Sequence, residues 1–419
     1  MRVMLVGSGG REAALAWRLS RDPALTDLVV TAPNPGWPDG AVEHRAATVP
    51  EWVDVAQRAE VDLVVVGPEV PLDLGLADAL AAVGIPCFGP QRAAARLESS
   101  KAFAKEVMHA AGVATAAALV VRLPEDLAAA RARCDRGAVV VKADGLAAGK
   151  GVFVCPTAAE AHAALDAAVE LGDSARTVVL EELLDGPEVS MFGLSDGSQV
   201  AVLPSAQDHK QLLDGGEGPN TGGMGAYVPC PLVDAEQGDA LCAAVLQPIV
   251  DELARRGTPF VGVLFAGLML TADGPKVLEY NVRFGDPECQ PLMALWTDPL
   301  PWLHGAATGA LPSGRPQFEP GSACCVVLAS AGYPRSSTKG TVIPRPDPLP
   351  GVVVFQAGTA LDPDGVLRTS GGRVLGITAK GATLEAARAL AYEALPGWRF
   401  EGAQFRTDIA ASPRGSAPA

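Results

Sequence analysis

Short apolar runs alternate with longer amphipathic ones along the first hundred residues. Residues 3–6, 28–30, 63–66 and 85–88 are strand-length apolar segments, whereas 12–19, 53–59 and 74–83 repeat apolar positions at helical spacing. Apolar runs without polar alternation suit strands buried on both faces, and helices between them permit a parallel sheet. The pattern predicts a parallel α/β domain over 1–98. Strands and helices mix in an α+β pattern over 99–310. The stretch 319–411 is strand-rich, with turns at 362–365 and 370–372, and predicts a small β-containing domain. Residues 412–419 hold only Ser, Pro, Arg, Gly and Ala and are expected to be a disordered tail.

Bulk properties narrow the function classes. A chain of 419 residues, 48% hydrophobic, exceeds a single core and implies several domains. The net charge of −15 speaks against a nucleic-acid backbone as partner, which needs a basic surface. No apolar run approaches membrane-spanning length, and Met1-Arg2 leads straight into a strand-like run, so neither a membrane nor a signal peptide is expected and a cytoplasmic location is. The eight cysteines form no CxxC pair and are expected to be reduced. Cys324 and Cys325 fall in a buried-strand pattern, and Cys289 lies beside Asp286-Pro287-Glu288.

Candidate chemistry concentrates at 139–152. Three valines lead to Lys142, followed by a loop carrying Gly145, Gly149, Lys150 and Gly151. A lysine closing an apolar strand is a fixed point charge, and the glycines let backbone N–H groups approach an anion. It is not a Walker loop, since Gly151 stands where Ser or Thr must follow the lysine. A metal is therefore expected elsewhere, and Glu279 and Asn281 supply oxygen ligands two apart on one strand face, which Arg283 continues if the strand persists. No other carboxylate is placed in that coordination sphere. A structural salt bridge from Arg283 to Asp286 is the competing role for the guanidinium. Lys101 follows the candidate caps Ser99 and Ser100 of a helix reaching residue 110. The turn Gly7-Ser8-Gly9-Gly10-Arg11 lacks the third glycine of a dinucleotide fingerprint and suits a single phosphate at a helix N-terminus, against the plainer reading of a glycine turn closing a βα unit. Residues 218–226 are too glycine-rich for a stable helix or strand and read as a substrate-contacting loop.

These words, in this order, resemble the ATP-grasp ligases, and among them the glycinamide ribonucleotide synthetase family. The resemblance rests on Gly7 to Glu12, Gly67-Pro68-Glu69, Ser100 to Phe103, the Lys142 loop, Glu181 to Gly186, Gln207 to Lys210, Gly218 to Tyr227 and Asn281 to Glu288. It implies an ATP-grasp fold over 99–310 with a lid subdomain at about 115–185. The implied reaction is ATP-dependent ligation of glycine to 5-phosphoribosylamine through glycyl phosphate, with Mg²⁺ or Mn²⁺ at Glu279 and Asn281. ATP would meet Lys101, Lys142, Gly145, Gly149, Lys150, Gly151, Glu181, Glu182, Leu184 and Glu188. The other substrates would meet Gly7, Gly9, Gly10, Arg11, Glu69, Asn220, Gly222, Gly223, Arg283 and Asp286, with Asp208 and Lys210 beside the reacting groups and Arg283 and Lys142 neutralising charge. A monomer is expected. Ala13, Ala206, Gln211 and Gln356 depart from the family pattern, which has His, Ser, Arg and His there. Another carboxylate–amine ligase or a carboxylating ATP-grasp enzyme of purine metabolism is the alternative, and a non-enzymatic nucleotide-binding protein a more distant one.

Overall fold

The computed structural model describes residues 1–145, 151–170 and 176–411. In the N-terminal sheet, β1 (Arg2–Val6), β2 (Asp27–Val30), β3 (Val42–Glu43), β4 (Leu63–Val66) and β5 (Cys87–Phe88) lie parallel in the order β3-β2-β1-β4-β5. The winding reverses between β1 and β4, so the segments following these strands, Gly7 to Arg11 and Gly67 to Glu69, open side by side into a crevice. Around this sheet run α1 (Gly10–Leu19), α2 (Val49–Arg58), α3 (Glu69–Asp73), α4 (Leu76–Ala82) and α5 (Arg92–Ser99). The helix expected over 74–83 is α4, and Gly75 at φ +88° caps it and separates it from the short α3. The exposed β3 carries no apolar signal and was not expected.

Both faces of the N-terminal sheet are packed. Met4 and Val6 of β1 join a cluster with Phe260, Leu264 and Tyr280, whereas Val3 and Leu5 join another with Phe192, Phe265 and Trp296. The twofold period of a strand thus ties this sheet to the centre of the chain through two cores.

After α6 (Lys101–Ala110), whose Ser100 cap accepts from the Phe103 N–H at 3.1 Å, comes a smaller sheet with its own core. It comprises β6 (Ala118–Arg122), β7 (Val139–Ala143), β8 (Val152–Cys155) and β9 (Thr177–Glu181) in the antiparallel order β6-β9-β7-β8. Beside them in sequence are α7 (Leu127–Cys134) and α8 (Ala158–Glu170). An apolar cluster separate from its neighbours is the physical condition for movement as one body.

The remaining chain builds one antiparallel sheet and two two-stranded ribbons. In sequence come β10 (Glu188–Asp196), β11 (Val200–Asp208), β12 (Gln211–Leu213), β13 (Glu217–Asn220), β14 (Gly225–Val228), α9 (Ala235–Leu241), α10 (Gln247–Arg255), β15 (Val261–Thr271) and β16 (Gly274–Asn281). Then follow α11 (Cys289–Leu295), α12 (Pro299–Thr308), β17 (Ser322–Ala329), β18 (Val352–Gln356), β19 (Thr359–Leu361), β20 (Leu367–Thr369), β21 (Arg373–Gly381) and α13 (Leu384–Trp398). The sheet order is β16-β15-β10-β11-β14-β17-β21-β18, with β12–β13 and β19–β20 as separate ribbons.

The expectation that 218–226 holds no strand is corrected. It supplies the end of β13 and the start of β14, whose backbone groups are satisfied from β11 on one side and β17 on the other. Gly225 is what the position needs, since a Cβ there would lie 2.7 Å from the Cys325 carbonyl oxygen. Among the described residues no helix is long and apolar enough to cross a membrane.

Candidate active site

A cleft of about 670 Å³ lies where the three regions meet. Its walls include Arg11, Glu69, Lys101, Lys142, Gly145, Gly151, Glu181, Glu182, Leu184, Glu188, Asp208, Lys210, Asn220, Gly222, Glu279, Asn281, Arg283 and Asp286. Tertiary folding thus brings together residues from words spread over nearly 280 positions. Gly149 and Lys150 lie outside the described residues, as does the tail 412–419.

Lys142, one residue before the end of β7, is almost fully buried, with Nζ 2.8 Å from Glu181 Oε2 and donating to the Leu278 carbonyl at 3.0 Å. Glu181 is shared: Lys105, which sequence reading missed, sits 3.0 Å from its Oε1. One carboxylate between two ammonium groups keeps both lysines in place at low solvent access. Lys101 opens α6 and donates to the Gly145 carbonyl at 3.0 Å, while Asp144 accepts from the Ala102 N–H and the Ser100 hydroxyl at the same helix start. The beginning of the glycine loop is therefore pinned to a helix N-terminus. Burial draws the Lys101 ammonium below its ordinary pKa, against the pull of Glu279 and Asp144.

Glu279 and Asn281 project from β16, opposite Gly267 and Phe265 of β15. Burial pushes the Glu279 carboxyl up, but the combined field of Lys210, Lys142, Lys101 and Arg283 outweighs it and holds it below the usual range. An ionised carboxylate and an amide oxygen facing a polyphosphate-sized cleft are a fitting donor set for a hard divalent cation, which keeps waters and shares nucleotide oxygens. Among the described residues no group of three His, Cys, Asp or Glu side chains could hold a metal unaided.

Beyond Glu279, the cleft gathers further carboxylates around a lysine rather than around the proposed metal position. Asp208, Glu188 and Glu288 face the same end of the cleft around Lys210, whose Nζ is 2.7 Å from Glu188 Oε2. Glu288 accepts from the Ser190 hydroxyl at 3.2 Å. Burial raises its carboxyl pKa, and burial raises that of Asp208 further, to about 7, against the attraction of Lys210. With an unfolded value of about 3.9, the folded protein binds more protons at Asp208 between these limits, so stability is lost as pH rises through this window. In a pH series of melting temperatures without nucleotide, Asp208→Asn is expected to gain on the wild type between pH 5 and 8; an unchanged difference would assign the perturbed proton elsewhere.

Arg283 follows the end of β16, which stops at Asn281, so it does not continue the strand face. Its partners are Glu98 at 2.9 Å and Glu69 at 3.3 Å rather than Asp286. Glu98, also missed from sequence, accepts from the Val282 N–H at 2.7 Å. Asp286 is held instead by Arg373 at 3.4 Å and by Gln290 Nε2 at 2.9 Å. Arg373 follows the Ser370-Gly371-Gly372 turn in sequence, donates to the carbonyls of Gly222 and Asp286, and lines the cleft. Gly222 also donates its N–H to the Tyr333 hydroxyl at 2.9 Å.

The glycine turn after β1 holds an anion of its own. Glu12 reaches back to accept from the Gly9 N–H at 2.6 Å, the returning half of a capping box whose glycine cap has no side chain to supply the other. Cβ atoms at Gly7 and Gly67 would meet the Glu12 side chain at 2.8 and 2.1 Å. Arg11 is buried, with Nε on Glu12 at 2.7 Å and Nη1 on the Phe284 carbonyl at 2.9 Å. Arg11 faces the cleft, whereas Gly7, Gly9, Gly10 and Gly223 lie outside its lining. Of the departures from the family pattern, Ala13 and Ala206 are buried in the core, Gln356 accepts from the Thr359 hydroxyl at 3.0 Å, and Gln211 alone lines the cleft.

A sheet bearing an acidic strand, a smaller separate sheet bearing a buried lysine, and a charged cleft between them define an ATP-grasp protein. Comparison with known proteins agrees. A biotin carboxylase from Campylobacter jejuni shares the fold with a TM-score of 0.74 at 17% identity, over 98% of this chain and 94% of that one. Phosphoribosylglycinamide synthetase family models match the N domain over residues 1–98, the ATP-grasp (A) domain over 99–289 and the C domain over 323–412. The chain belongs to that family. Phosphoribosylamine–glycine ligases from Caulobacter vibrioides and Streptomyces coelicolor are 48% and 47% identical to it, covering 98% and 99% of this chain and 97% and 100% of theirs. The crystal structure of phosphoribosylamine–glycine ligase from Thermotoga maritima matches with a TM-score of 0.84 at 32% identity, over 98% of this chain and all of that one.

Proposed function

We propose that the chain is an ATP-dependent ligase that joins glycine to 5-phosphoribosylamine in purine biosynthesis, releasing ADP and phosphate. The observation that carries this reading is the convergence of Lys101, Lys142, Lys210 and Arg283 on the ionised Glu279 within one cleft of a family member. A glycine carboxylate oxygen attacks the γ-phosphorus, the bond to the β-phosphate oxygen breaks, and glycyl phosphate forms. The amine nitrogen of phosphoribosylamine then attacks the glycyl carbonyl carbon, the carbon–oxygen bond to phosphate breaks, and the nitrogen loses a proton to water.

The protein's share is positioning and charge neutralisation. Lys142 and Lys101 would hold the phosphates, with Gly145 and Gly151 leaving room for close approach. Glu181, Glu182 and Leu184 would face adenine and Glu188 the ribose. Glu279 and Asn281 would hold Mg²⁺ or Mn²⁺, which neutralises phosphate charge when bound. Arg283, kept in place by Glu69 and Glu98, would offer planar donation to the carboxylate or the transferring phosphoryl group. Asp208 and Lys210 would flank the reacting groups. Asn220, Gly222 and Asp286 would meet glycine or the amine substrate. Its 5′-phosphate would lie near Arg11, taking guanidinium donors beyond those already given to Glu12 and Phe284, with the Gly7 to Gly10 turn behind. The proposed division places 1–98 at the amine substrate, 99–310 at ATP with 115–185 as lid, and 319–411 as a C-terminal support.

Steady-state ADP formation tests the reading. ADP release is expected only when glycine and phosphoribosylamine are both supplied, with glycinamide ribonucleotide as product by mass spectrometry. Release driven equally well by bicarbonate or another amino acid would favour a different ATP-grasp reaction.

A further inference from the structure

The ribbon formed by β12 and β13 has little of its own to hold it in shape. Gly215, Gly216 and Gly218 all take positive φ, residues 213–215 and 217–220 are exposed, and none of 211–220 belongs to an apolar core cluster among the described residues. Yet its open end forms part of the cleft. Gln211 and Asn220 pair across the ribbon, Gln211 Nε2 donating to Asn220 Oδ1 at 3.3 Å, and both line the cleft next to Lys210 and Thr221.

Order is imposed from a segment nearly 200 residues later. Arg406 is fully buried and donates from Nη1 to the Gln211 carbonyl at 3.2 Å and from Nε to Asp408 Oδ1 at 2.7 Å. Asp408 in turn accepts from the Gly215 N–H at 2.9 Å, and the Thr407 N–H donates to Asp214 Oδ1 at 2.7 Å. The segment is itself anchored: Arg388 of α13 donates to the carbonyls of Ile409 and Thr407 at 2.9 and 2.8 Å, and the Tyr392 hydroxyl donates to the Arg406 carbonyl at 2.8 Å. Beyond β13, Arg373 and Tyr333 hold Gly222. The stretch 211–222 is thus gripped at both ends by groups that follow residue 330, and a guanidinium fork suits the first grip because it fixes a carbonyl and a carboxylate together.

We propose that Arg406, with Thr407 and Asp408, is a positioning latch that sets the Gln211–Asn220 wall of the cleft and through it the affinity for glycine or phosphoribosylamine. The latch rests on the ligase reading only for the identity of those substrates. None of its members lines the cleft.

Asp214→Ala removes the ribbon's side-chain share of the latch, the carboxylate that takes the Thr407 N–H, at an exposed position, so folding is not at risk. In the full-length protein, hydrogen exchange of amides 212–219 is expected to speed up by about tenfold or more. The KM for glycine or phosphoribosylamine is expected to rise about fivefold or more, with the KM for ATP within about twofold of wild type. Asp214→Asn, which keeps the oxygen for the Thr407 N–H, should restore most of both, and Arg406→Lys, which keeps charge but loses the fork, should resemble the alanine variant. Faster exchange with unchanged KM values would overturn positioning and leave a local tie. Unchanged exchange in both Asp214→Ala and Arg406→Lys would overturn the latch altogether. A wild type inactive with both substrates would sink the ligase reading instead, while the exchange measurement still decides whether the latch orders the ribbon.

Discussion

Glu279→Ala is expected to lower kcat by on the order of a thousandfold or more, equivalent to ~4 kcal/mol of lost transition-state stabilisation. The carboxylate is the negative centre that Lys210, Lys142, Lys101 and Arg283 surround, and with it goes the charged ligand for the divalent cation. Removing an anion from among four cations leaves their repulsion unrelieved, so weaker metal binding should accompany the loss: activity should not saturate at Mg²⁺ concentrations that saturate the wild type. Far-ultraviolet circular dichroism should be unaltered, because Glu279 contributes no core contact. A variant with near-normal kcat at limiting Mg²⁺ would show that the metal is held elsewhere.

Lys142→Met should be the next most damaging, through ATP rather than metal. The methionine fills the same buried channel, while the charge that reaches both Glu181 and the Leu278 carbonyl disappears. A charge-assisted contact to phosphate contributes about 1.5–3 kcal/mol, and at about 1.4 kcal/mol per tenfold this predicts a loss of roughly ten- to over a hundredfold in kcat/KM for ATP. Glu181 keeps Lys105 as its partner, so the melting temperature should fall by far less than loss of a whole buried pair would cause. An unchanged ATP titration in a folded Lys142→Met protein would move the nucleotide site away from β7.

Much of the architecture could be read along the chain because it depends on near neighbours. Apolar runs such as 63–66 and 139–141 became strands buried on both faces, and Ser100 caps α6 through a bond to a residue three positions on. The alternation of Glu279 and Asn281 put both on the cleft side of β16. Even the filling of the Gly7 turn by Glu12 is a local event, an N3 side chain returning to its own cap, although the glycines alone suggested an empty anion site.

What the tertiary structure alone decided was which charges meet. Arg283 pairs with Glu98 and Glu69 rather than the nearby Asp286, Lys105 shares Glu181 with Lys142, and Arg373 and Arg406 reach residues some 150 and 195 positions away. Strand and helix periods tell a reader only which face a side chain leaves from, over two to four residues. The partner of a long charged side chain depends instead on how sheets stack and strands order. Joining β14 to β17 carried Arg373 to the cleft and Arg406 to the ribbon behind its wall, and no local pattern around either arginine records that register.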